Sequence, residues 1–201
     1  MGTKVKELAV VSKMFCSSSE VVLGVRARPH VVGGGGFVVT DLHSHAVVFK
    51  VDGCGVLGKK DQITLTDAYQ TPLLLIRRKG GIVEALSLHK QWGGYTADYA
   101  GSQKLVFTLK DPKACFGNIN RSLKVCTELQ KDEFQIKGYF QDKECSIVDS
   151  GGNMIAQVGV SLEMKEKKDL YHVVVKPGID QAFVVGVIAI LDYIHNGSTR
   201  C

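Results

Sequence analysis

Between Pro177 and Ile194 the chain reads PGIDQAFVVGVIAILDYI, which is apolar on every side if wound as a helix. Such a helix has no face to offer water and must be enclosed. The unbroken apolar run, Ala182 to Leu191, is ten residues between Asp180 and Asp192, whereas a bilayer span needs roughly 20. The β-branched residues within it would suit a strand, but strands usually run about 4–8 residues, so length predicts a core helix. Pro177 and Gly178 mark its start, Asp180 suits the positive end of the helix dipole, and Asn196-Gly197 offers a stop. Ala182, Gly186 and Ala189 form a stripe of small residues that would let a helix in a membrane pack closely on another, but both flanking acids and the short run oppose a span.

The remainder is β in character, which gives the helix something to be buried in. Apolar residues lead to an Asp, a polar turn follows, and a second apolar run begins about six residues later. This happens at Val38-Val39-Thr40-Asp41 before Ala46, at Ile63 to Asp67 before Leu73, and at Ser146 to Asp149 before Met154. In each copy the Asp side chain is placed to accept from amides just ahead of it and start a hairpin turn. Further strands are predicted over Val21–Arg28, Ile82–His89, Lys104–Lys110, Ser122–Leu129, Phe134–Gln141, Ile155–Glu163 and Tyr171–Val175. Many short strands and one wholly apolar helix predict a closed or nearly closed barrel with the helix threaded through it. With 22 glycines the chain has the turn residues such a fold requires.

Six cysteines without a Cys-x-x-Cys pair point to reduced thiols rather than a zinc site or disulfide framework. No basic region leads into a long apolar stretch at the N-terminus, so no signal peptide is expected. Gly53-Cys54-Gly55-Val56-Leu57-Gly58 matches G-x-G-x-x-G, but Ile63 to Thr66 reads as a strand where a dinucleotide fingerprint needs a helix. Asp41, His43 and His45 alternate as metal ligands would, yet they sit in a predicted turn with no further ligand implied. No cysteine lies in a nucleophile signature with His89, and Trp92 reads as a packing residue. No catalytic residue, metal or cofactor is expected.

The ordered motifs resemble those of the LURP-one-related family of plant proteins. They are Phe37-Val38-Val39-Thr40-Asp41 with Val48-Phe49-Lys50-Val51-Asp52, then Leu74 to Lys79, then Cys145 to Asp149, then Val174 to Phe183. The resemblance covers about Val22 to Ile194. It implies a Tubby C-terminal-like fold, mainly β, with about twelve strands closed around a central hydrophobic C-terminal helix, as in phospholipid scramblases and tubby proteins. It also implies a link to plant defence and stress. Two features limit transfer from those relatives. Glu163 to Asp169 is lysine-rich and lacks the alternating oxygen ligands of a calcium segment, and the phosphoinositide pocket of tubby proteins does not align residue by residue.

The expected organisation is a flexible or loosely docked arm over residues 1–20, a single domain over 21–196 and a tail over 197–201. The central helix is expected to bury Ile179, Ala182, Phe183, Val184, Gly186, Val187, Ile188, Ile190 and Leu191. Arg77, Arg78 and Lys79, with Lys59 and Lys60, are the candidate ligands for an anionic headgroup, and the formal charge of +5 suits an anionic membrane surface. Since neighbouring strand residues point to opposite faces, at most one of Arg77 and Arg78 can join Lys79. The expected function is a non-enzymatic binding or scaffold module, a peripheral phosphoinositide or protein binder in the cytoplasm, at the plasma membrane or in the nucleus, without integral insertion. The alternative is a DNA- or chromatin-associated regulator; scramblase-like and thiol-enzyme readings rank below both.

Overall fold

The computed structural model describes residues 7–31, 34–53, 62–79, 89–97, 102–112, 122–161, 169–195 and 197–200. The strands in chain order are β1 (Val21–Val31), β2 (Gly34–Asp41), β3 (Val47–Asp52), β4 (Gln62–Asp67), β5 (Pro72–Lys79) and β6 (His89–Ala97). They continue as β7 (Gln103–Pro112), β8 (Lys124–Thr127), β9 (Glu133–Tyr139), β10 (Glu144–Asp149), β11 (Met154–Gly159) and β12 (Leu170–Val175), followed by helix α1 (Gln181–Ile194). Each strand pairs antiparallel with its sequence neighbours, and β12 pairs with β1 (Val21 opposite Val175) to close a twelve-stranded barrel.

Inward positions alternate with outward ones along the strands, as pleating requires, apart from the register shifts at bulges such as Ile147/Val148 on β10. Leu74 and Ile76 on β5, Phe107 and Leu109 on β7, and Tyr171, Val173 and Val175 on β12 are buried. They surround α1, of which every residue from Ala182 to Asp192 is buried. Phe183 meets Phe107 and Phe134 at ring-centroid distances of 5.3 and 5.6 Å. The stripe of small residues is used inside the barrel, because a Cβ on Gly186 would stand 2.9 Å from Leu74 Cδ1. The helix begins two residues after Ile179, which is buried in the connection before α1 instead of within it.

The three predicted hairpins form by the predicted mechanism. Asp41 Oδ1 accepts from the N–H of His43 (2.7 Å) and Ser44 (3.0 Å), Asp67 Oδ1 from Tyr69 and Thr71, and Asp149 Oδ1 from Asn153. Strand β6 has no counterpart in the sequence reading, because Gly93-Gly94 has the look of a turn. Both glycines serve close packing within a strand: a Cβ on Gly94 would lie 2.2 Å from the Phe107 ring, and one on Gly93 would lie 2.8 Å from that of Tyr95. The predicted strand Ile82–His89 lies outside the described residues except for His89, the first residue of β6.

The two aspartates that bound the apolar run fasten the chain's ends to the helix. Asp180, fully buried, caps α1 by accepting from the Phe183 N–H (3.1 Å), and its other oxygen accepts from Val10, Val11 and Ser12 at 3.1, 2.6 and 3.0 Å. Leu8 also donates to Gly178 O, Asp180 donates to Leu8 O, and Phe15 packs on Phe49 at 5.3 Å. Residues 7–20 are therefore docked across the barrel end where α1 starts. Unsatisfied amides at a helix N-terminus demand an acceptor, and one carboxylate serves both the helix and the arm. At the other end Asp192 Oδ2 accepts from Thr199 N–H (2.8 Å), Thr199 Oγ1 (2.9 Å) and Ser198 Oγ (3.2 Å), so the tail folds back over the helix. Gly53, the first glycine of the G-x-G-x-x-G match, lies against it: a Cβ there would stand 2.8 Å from Thr199 Cα. The rest of that match, Lys59 and Lys60 included, lies outside the described residues.

Candidate anion-binding face and barrel mouth

Alternation along β5 divides the basic cluster. Leu74, Ile76 and Arg78 take inward positions, and Arg78 stands opposite Trp92, which is itself buried and packs edge-on against Tyr193 at 4.6 Å. Arg77 and Lys79 share the outer face, and Arg77 Nε donates to Gln62 Oε1 at 3.2 Å. The cluster therefore supplies two cations to the surface and one to the interior, near the end of the barrel where α1 finishes.

The register extends the outer cations beyond β5. Lys79 stands opposite Gln91 on β6, Gln91 opposite Lys110 on β7, Lys110 opposite Lys124 on β8, and Lys124 opposite Gln135 on β9. One cross-strand row thus carries three lysines, two glutamines and no carboxylate. The adjacent row runs Gln62, Arg77, Gly93, Thr108, Cys126 and ends at the carboxylate of Glu133 on β9, with the Tyr95 ring lying over Gly93. Lys110 and Lys124 are exposed and directly opposed, and among the described residues neither has an acidic partner. Like charges so placed destabilise a sheet by up to about 1 kcal/mol, and an anion laid across them relieves that repulsion. Sequence reasoning missed Lys110 and Lys124 because they are far apart in sequence and only the register makes them neighbours. Lys165, Lys167 and Lys168 lie outside the described residues.

Where α1 ends, the barrel mouth holds a group of titratable side chains. His195 follows the helix and stacks on Phe140 at 5.9 Å, while Lys143 Nζ sits 3.9 Å from the centre of the Phe140 ring and 4.5 Å from that of Tyr171. Burial holds the His195 and Lys143 pKa values below their ordinary values; for His195, Lys143 acts in the same direction, while Asp111 and Asp192 oppose it. Burial also pushes the Tyr171 hydroxyl well up and the Cys145 thiol up to about 11. That is the reverse of the depressed pKa an attacking thiol needs. Cys16, on the arm, is likewise raised to about 11, by burial first and then by Asp180 and Glu7. Asp41 accepts from its own turn, in which the exposed His43 lies and which the exposed His45 follows.

Beside this group opens a groove of about 840 Å³ lined by Lys90, Asp111, Leu123, Ile136, Lys137, Tyr139, Phe140, Ile194 and His195, among others. A much smaller pocket of about 50 Å³ lies beneath the arm, between Val10 and Leu129.

The chain is similar to several proteins of Arabidopsis thaliana. Protein LURP-one-related 6 is 56% identical over 194 residues, covering 96% of this chain and 99% of that protein. Protein LURP-one-related 16 is 49% identical over 205 residues, with 96% and 95% covered, and Protein LURP-one-related 5 is 30% identical over 193 residues, with 92% and 89% covered. No solved structure gives a significant match. The LURP-one-related family matches residues 21–192, from the first strand of the barrel to the last turn of its central helix, and the chain belongs to that family.

Proposed function

We propose that this protein is a non-enzymatic binding module of plant defence or stress signalling that docks on anionic phospholipid headgroups at a membrane surface. The observation that carries the reading is the outer row of Lys79, Lys110 and Lys124, which itself holds no carboxylate, with Arg77 beside it. The barrel is apolar inside and carries charge outside, and among the described residues no helix is long and apolar enough to cross a membrane. Both features suit attachment to a surface. A flat row of exposed cations interacts with an anionic bilayer at about 1 kcal/mol per charge and loses that interaction as salt shortens the Debye length.

Flotation with vesicles of graded phosphoinositide content, run in parallel with duplex DNA binding over a salt series, tests the proposal. Preferential capture by anionic vesicles supports it. DNA binding with a steep salt slope and no capture by vesicles favours the nucleic-acid reading instead.

A further inference from the structure

The groove at the barrel mouth differs in kind from the outer row. Its apolar wall is Leu123, just ahead of β8, Ile136 on β9, Phe140 in the turn after β9, and Ile194 at the end of α1. Ile136 and Phe140 are buried, so this wall continues the barrel core out to the surface. Tyr139 stands at the rim and is 74% exposed. A volume of about 840 Å³ falls within the range of roughly 300–1,000 Å³ of small-molecule sites, and the mouth of a barrel is one of their usual places. The charged lining residues are Lys90, Asp111 and Lys137. Lys90 stands opposite Asp111 on the adjoining strand, and the two lysines and one aspartate leave the lining with one net positive charge.

We propose that this groove binds an amphipathic organic monoanion: an aromatic or aliphatic body of several hundred daltons against Leu123, Phe140 and Ile194, with its single carboxylate- or sulfonate-type charge toward Lys137. Burial of the body supplies most of the affinity through apolar area removed from water. The lysine supplies orientation and selects the anion over a neutral isostere. The site adjoins the outer lysine row at Gln135, which lines it, and takes a dissolved small molecule, not a membrane.

A pair of fluorescent probes tests this directly. Anilinonaphthalene sulfonate and phenylnaphthylamine share one aromatic body and differ by the sulfonate. The full chain should bind the sulfonate at one site, at least fivefold more tightly than the neutral probe, and decanoate should displace it. Lys137→Glu, an exposed change on β9, should weaken sulfonate binding at least fivefold and leave the neutral probe unchanged. Lys110→Gln with Lys124→Gln should leave both affinities unchanged, which separates failure of the groove from failure of the membrane reading. Equal affinity for the two probes, several weak sites, or a Lys137→Glu protein that binds the sulfonate as wild type does would each overturn the proposal. The wild-type comparison of the two probes decides the matter even if the variant is lost to misfolding.

Discussion

Replacing Asp180 with alanine should release the N-terminal arm and destabilise the barrel together, because one carboxylate serves both. The side chain is fully buried and accepts from four backbone amides, one in α1 and three in the arm. Loss of the cap costs about 1 kcal/mol. The arm bonds are only partly buried, and water reaches their donors once the arm lifts, so they add about 2 kcal/mol together, short of the full value of three charge-assisted bonds. The sum of about 3 kcal/mol is a large share of the roughly 5–15 kcal/mol that holds a domain together. With a urea slope of about 2 kcal/mol/M it lowers the midpoint by about 1.5 M. Hydrogen exchange locates the effect: the amides of Val10, Val11 and Ser12 should lose protection in the variant under native conditions, before global unfolding. Unchanged protection at those amides, or a midpoint shift below about 0.3 M, would refute the shared-carboxylate argument.

Gly186→Val should destabilise by about 1–3 kcal/mol through overpacking against Leu74, read as a lower urea midpoint with an unchanged slope. Stability should fall as pH drops below about 6.5, because burial lowers the pKa of both His172 and His195. A lowered histidine pKa makes the folded state bind fewer protons than the unfolded state, so the stabilisation is complete above the unfolded value and is lost as pH falls toward the folded one. Burial raises the Asp180 pKa more than its amide partners lower it, and this group works in the opposite sense at more acidic pH. Urea midpoints at pH 8, 7 and 6 should show a decline that shrinks in the His172→Gln, His195→Gln double variant.

The barrel and its helix were legible because both rest on local rules. An apolar run too short for a bilayer has to be enclosed, and an Asp ahead of a polar turn starts a hairpin, so Asp41, Asp67 and Asp149 announced three of the β-turns. Strand β6 was hidden because its two glycines are defined by the rings of Phe107 and Tyr95, which come from elsewhere in the sheet or from two residues along. The docking of the arm was hidden for a related reason. Nothing between Glu7 and Glu20 has a period, and the partner that orders it, Asp180, lies some 170 residues away. Of the basic cluster, the sequence could state that Arg77 and Arg78 face opposite ways, but only the inward positions of Leu74 and Ile76 decide which one turns in. Lys110 and Lys124 become neighbours through register alone, which no linear pattern displays.

Vesicle association of the wild type and the Lys110→Gln, Lys124→Gln variant, measured at low salt on protein whose melting is shown to be cooperative, tests the membrane-docking account most directly. At about 1 kcal/mol per charge the account predicts that the wild type binds anionic vesicles and that the variant binds roughly 30-fold more weakly with its melting temperature intact. Wild-type protein that ignores anionic vesicles, or a variant that binds them as tightly as the wild type, would contradict it.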